Sequence, residues 1–274
     1  MMRSLWTAAS GMRAQQVNVD TIANNVANIN TIGYKSQQAS FKSLLYQNLQ
    51  STSTNNAGEN KPVAAEVGLG SRVAAITSTF TQGNLTHVEN PFSVALEGDG
   101  FFQIRTESGE LQYTRDGSFE ISLVANGNML CTSDGNPVLD AYGNQIILPS
   151  NRVATDLVVN QDGTLAFPDG TGNPAVITDA NGRPVKFGIY QFNNPAGLSK
   201  EGSNNYSVTV ASGAAVAENG NAAVKQTKTH QYYTEASNVD VANEMVNLIV
   251  AQRAYEMNSK AIQASDEMMQ QANA

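Results

Sequence analysis

The chain has 274 residues, 41% of them hydrophobic and only 15% charged, against about 25% charged in an average globular domain. Its formal charge of −8 excludes the basic face of a nucleic-acid binder, and its single cysteine, Cys131, excludes a disulfide framework or a CxxC metal site. No apolar run reaches the roughly 18 residues of a membrane span, and MMRSLWTAAS has no apolar core for a cleaved secretory signal.

All eight prolines and 20 of the 22 glycines lie between Asn48 and Glu235, so both ends are free to be helical while the middle is not. Charge divides the same way: about +3 over residues 1–47, about −3 over 237–274, and the whole −8 in between.

In the first segment Leu5, Met12, Val19 and Val26 recur every seven residues, with Ala8, Ile22 and Ile29 three residues after their partners and Gln15 interrupting, an apolar seam of a/d spacing. Gly33 is the expected helix stop. The polar stretch 48–66 reads as an extended loop or long hairpin arm.

The middle carries Asp-Gly at 99–100, 116–117, 134–135, 162–163 and 169–170, and Asn-Gly at 126–127, 181–182 and 219–220. These are hairpin signals, and apolar runs at 101–105, 119–123, 157–159, 185–190 and 206–210 supply short strands between them. A central all-β domain follows.

From Ser237 onward the heptad returns: Val241, Leu248, Tyr255, Ile262 and Met269 are spaced by seven, with Met245 and Ala251 widening the stripe. Ser237-Asn238-Val239-Asp240 resembles a capping-box start. The expected fold class is α+β: long N- and C-terminal helices as a coiled-coil pair, plus the central β domain. Two readings of the helices stay open, an antiparallel pair closing one domain or surfaces that pack on other copies.

The sequence displays no catalytic, cofactor or metal constellation. His87 and His230 have no ligand spacing to each other or to Cys131, and Gly98-Asp99-Gly100 precedes a strand where a dinucleotide loop would follow one. The turn aspartates lack the register of a calcium loop, and Cys131 reads as a small buried hydrophobe.

The segment Asp20–Lys35, with Ala23, Asn24, Asn25, Ala27, Asn28, Gly33, Tyr34 and Lys35, resembles the signature that closes the N-terminal helix of bacterial flagellar rod and hook proteins. Gly98–Phe102, Tyr113–Phe119, Glu235–Asp240 and Gln252–Lys260 resemble further motifs of that family. The opening MMRSLWTAASGM, Phe41–Gln47 and Val67–Gly70 are similar to its distal-rod branch, and hook members run longer.

The resemblance implies a structural, non-enzymatic subunit of a helical homopolymer. Residues 1–30 and 237–274 would line a channel, 31–70 with 225–236 would connect and brace neighbours, and 71–224 would form an outer β-rich domain. It further implies proximal rod and hook proteins, bushing rings and the flagellar type III export apparatus as partners. The expected location is the basal body outside the cytoplasm, reached without signal cleavage, with neither nucleic acid nor membrane insertion. Phe41-x-x-x-Leu45 fits either an export element or a buried aromatic. The readings weighed against this one are a hook or proximal rod protein and, in another class, an extracytoplasmic carbohydrate-binding or hydrolytic β domain.

Overall fold

The computed structural model describes residues 2–50, 65–124, 127–150, 152–168, 174–179, 182–221 and 224–273. They form two compact units: 1–27 with 37–78 and 240–274, and 28–36 with 79–239. The Asp-Gly pair at 169–170, Asn126, Asn181 and most of the expected 48–66 arm lie outside the described residues.

The first unit contains α1 (Met2–Ala27), β1 (Gln37–Ser43), β2 (Tyr46–Gln50), β3 (Ala65–Gly68), β4 (Ser71–Ser78) and α2 (Val241–Asn273). At 1.5 Å per residue, the 26 residues of α1 and 33 of α2 extend about 39 and 50 Å. The helices run antiparallel, since Ser4 meets Ser265 and Asn25 meets Glu244. α1 also packs on β1 and β4, an antiparallel pair whose register shifts between Ser40 and Phe41. β2 pairs with β3. Phe41 is exposed on β1, which removes the buried-aromatic reading of that residue.

Both helix boundaries differ from expectation. α1 stops at Ala27, ahead of Gly33, where Asn28 begins a turn: its carbonyl accepts from Thr31 N and its Oδ1 from Thr31 Oγ1. Asparagine competes with helix in this way by bonding nearby backbone and hydroxyl groups. At the other end Asp240, rather than Ser237, is the cap. Its Oδ1 accepts from Ala242 N at 2.9 Å, whereas Ser237 Oγ accepts from Val239 N before the helix begins.

The second unit runs β5 (Leu85–His87), β6 (Val94–Glu97), β7 (Phe101–Arg105), β8 (Leu111–Thr114), β9 (Glu120–Val124), β10 (Gly127–Cys131), β11 (Ile147–Leu148), β12 (Val158–Val159), β13 (Leu165–Pro168) and β14 (Pro174–Val176). It continues through β15 (Ile189–Gln191), β16 (Ser199–Gly202), β17 (Asn205–Ser207), β18 (Val216–Ala217), β19 (Lys228–Gln231) and β20 (Tyr233–Glu235). Its largest sheet has the order β16-β17-β8-β7-β15-β18. Side chains alternate across a strand, so Phe101 and Phe102 of β7 enter different cores. Phe102 joins Phe119, Phe187, Ile104 and Leu130, and Phe101 joins Tyr113, Phe192 and Tyr206.

Asp134-Gly135, Asp162-Gly163 and Asn219-Gly220 turn with left-handed glycines, as their sequences suggest. Asp116-Gly117 does not: a Cβ on Gly117 would overlap the Val94 carbonyl oxygen, so packing there requires glycine. The run expected to be a strand over 206–210 ends at Ser207, because Thr209 and Ser212 close a hydrogen-bonded turn. Cys131 is buried, and burial pushes its thiol pKa up.

Candidate assembly surface

Along α1, Ser4, Gly11, Asn18 and Asn25 are spaced by seven; along α2, so are Glu244, Ala251, Asn258 and Ser265. The two series meet. Ser4 Oγ lies 3.3 Å from Ser265 Oγ, and Asn25 Nδ2 donates to Glu244 Oε1 at 3.0 Å. A Cβ on Gly11 would come within 2.9 Å of Asn258 Nδ2. Small and amide side chains therefore set the approach of the helices at one edge of the contact. Ala251 and Ser265 are buried there.

The larger residues of the expected seams flank this line. Ile22 is buried; Leu5, Met12, Val19, Val26, Leu248, Ile262 and Met269 are half-buried; Val241, Met245 and Tyr255 are exposed; Ile29, half-buried, lies past the end of α1 in the second unit. Beyond them α2 exposes Val246, Ile249, Val250, Met257 and Met268, and α1 exposes Trp6 at 73%. A helix pair in a self-contained domain would turn such side chains inward, since burying one contributes about 1.5–3 kcal/mol. A run of large exposed apolar groups marks an interaction surface.

The signature residues divide between two tasks. Ala23, Asn24 and Ala27 are exposed and Asn28 is half-buried. Asn25 is buried in the first unit and clamps the start of β1, accepting from Gln37 N and donating to Gln37 O, both at 2.8 Å. Gly33, Tyr34 and Lys35 are buried in the second unit. Gly33 N donates to Glu235 O at 2.8 Å, and a Cβ on Gly33 would crowd the Arg115 backbone at 2.9 Å.

Lys35, Arg115 and Glu235, from three separate sequence motifs, form a buried ion cluster. Lys35 Nζ is 2.6 Å from Glu235 Oε1 and donates to Thr81 O at 2.8 Å. Arg115 Nη1 is 3.3 Å from Glu235 Oε2, Nη2 donates to Gly98 O at 2.7 Å, and the guanidinium stacks 5.0 Å from the Phe101 ring centre. Gly83 N also donates to Glu235 Oε1. Burial lowers the Lys35 pKa, and Glu235 opposes that by favouring the charged form. Burial pushes the neighbouring Tyr206 up to about 12.

Asn238 adds a polar clasp, accepting from Ser36 N and donating to Thr79 O and Thr81 Oγ1. Each of the three residues stands in one of the family-like motifs, Asp20–Lys35, Tyr113–Phe119 and Glu235–Asp240, but nothing in their spacing pairs 35 with 115 and 235. The two histidines take ordinary roles: His230 Nε2 is 2.7 Å from Glu97 Oε2, and His87 packs against Tyr233.

Long paired helices exposing apolar faces, joined in one chain to a β-rich unit, fit a structural subunit that assembles, and comparison with known proteins places the class among flagellar axial proteins. Three family models agree. "Flagella basal body rod protein" matches residues 5–35, "Flagellar hook protein FlgE/F/G D1 domain" matches 95–167, and "Flagellar basal body rod FlgEFG protein C-terminal" matches 230–274. Full-length similarity narrows the class. The flagellar basal-body rod protein FlgG of Borreliella burgdorferi is 43% identical, aligned over 100% of this chain and 98% of its own length. The FlgG proteins of Agrobacterium fabrum and Caulobacter vibrioides are 41% and 38% identical, over 97% and 98% of this chain and 97% of their own lengths in both cases. The chain belongs to the FlgG family of distal-rod proteins and is a structural subunit of the bacterial flagellar basal-body rod.

Proposed function

We propose that this subunit polymerises through α1 and α2 into the rigid, hollow distal rod, with residues 1–30 and 237–274 lining the channel as a coiled coil. The shaft transmits torque from motor to hook and passes exported subunits. The observation that carries this reading is the line of exposed apolar residues on α2, Val246, Ile249, Val250, Met257 and Met268, together with Trp6 on α1. In a polymer each copy covers the next copy's stripe.

In the same reading residues 31–70 with 225–236 brace neighbouring subunits and 71–224 form the outer domain. The seam residues, Leu5, Met12, Val19, Ile22, Val26 and Ile29 with Val241, Met245, Leu248, Tyr255, Ile262 and Met269, hold the helical layer. The partners are further copies, the proximal rod and hook proteins, the bushing rings and the type III exporter, in the envelope outside the cytoplasm. The role is mechanical and involves no catalysis. Electron microscopy of purified full-length protein is the test: straight hollow tubes are expected, and only monomers or closed small oligomers across a broad concentration series would rule out the polymer.

A further inference from the structure

α1 and the β1–β4 pair enclose an open groove of about 390 Å³, lined by Trp6, Arg13, Val17, Leu44, Arg72 and Val73. It is apolar along its floor, and both Arg13 and Arg72 are exposed at it. The same chain carries a ridge of matching length and opposite charge. Met257 and Met268 lie eleven residues apart, three turns along one face of α2, and are 65% and 51% exposed. Each follows an exposed acid, Glu256 and Glu267, and Lys260, Ala261 and Ala264 lie between them, so the ridge keeps one net negative charge. Trp6 and Val17 are also eleven residues apart, so groove and ridge both extend about 16 Å.

Resting on the rod-subunit reading, we infer that the Trp6 groove of one copy receives the Met257–Met268 ridge of a second copy. Thioether side chains adapt to an aromatic wall, and the flanking carboxylates meet the two guanidiniums. Groove and ridge are different surfaces of one chain, so the contact is heterologous and propagates as a helical filament instead of closing as a dimer. Charge complementarity selects a second copy as the occupant: α1 with the adjoining strands is basic, and α2 carries four acids against two bases.

The test mixes two full-length proteins, Trp6→Cys and Met257→Cys, under oxidation once tubes have formed, with Gln263→Cys as the exposed control on another flank of α2. The buried native Cys131 sets the background. Mixed disulfide between positions 6 and 257 is expected at least tenfold above the control. Separately, Arg13→Glu is expected to raise the concentration needed for tubes at least tenfold, and adding Glu256→Arg to restore it, with helix content by circular dichroism unchanged in both. Tubes without 6–257 coupling overturn the groove and leave the rod reading standing, whereas failure of the unmodified protein to form tubes overturns both. Disulfide between Trp6→Cys and Ala57→Cys within one chain would assign the groove to the chain's own arm and also overturn the inference.

Discussion

Two cations and one carboxylate share the buried cluster of Lys35, Arg115 and Glu235, so losing the carboxylate and losing one cation are not equivalent events. Glu235→Gln leaves both cations buried without an anion. Breaking a buried pair in this way costs ~3–5 kcal/mol. Lys35→Met leaves a one-to-one pair of Arg115 with Glu235 and forfeits the bonds of Nζ to Glu235 Oε1 and Thr81 O, a smaller loss of about 2 kcal/mol. Chemical denaturation of the two variants is expected to show that order, and equal losses would mean that Glu235 matters only through its bond to Gly83 N. None of this was legible from sequence, because positions 35, 115 and 235 come together only through tertiary pairing. Asp116-Gly117 was misread for a related reason: an Asp-Gly pair signals a turn locally, but the constraint on Gly117 comes from the Val94 carbonyl of a distant strand.

At the scale of elements, both helices were legible because glycine and proline are nearly absent from the ends and large apolar residues recur there every seven positions. The small-residue line that sets the helix approach was not. Ser4, Gly11 and Asn25 facing Ser265, Asn258 and Glu244 carry little hydrophobic signal and so do not contribute to the apolar periodicity. Gly11→Leu tests their importance. A branched side chain against Asn258 has to separate the helices, an overpacking cost of about 1–3 kcal/mol, whereas Gly11→Ala gains helix propensity and displaces only a flexible amide. Thermal unfolding followed by circular dichroism should find the leucine variant less stable than the alanine one. The strands β1 to β4 were hidden within what reads as connecting sequence, since their alternation is short and many of their residues are exposed.

For the whole molecule, the two units differ in what sustains them. The β-rich unit encloses two aromatic cores of its own, whereas the helical unit leaves its largest apolar groups uncovered. Deleting 240–274 is therefore expected to leave a monomer with a cooperative melting transition and to abolish tube formation, as read by calorimetry and electron microscopy. Tubes from the truncated protein would show that α2 is dispensable. The division was foreshadowed by glycine and proline usage, but 28–36 belonging with the β-rich unit was not: Lys35 and Gly33 are held by Glu235, 200 residues away from the lysine.

That separation makes the ion cluster a test of completeness. A ribosome delivers the chain from its first residue, so Lys35 and Arg115 emerge long before the one carboxylate that neutralises them. Until residue 235 arrives, burying either cation is opposed by its own desolvation, and the site stays hydrated and open. Closure is thereby postponed to the last seventh of synthesis, and any chain cut short before Glu235 is marked by a β-rich unit that cannot seal.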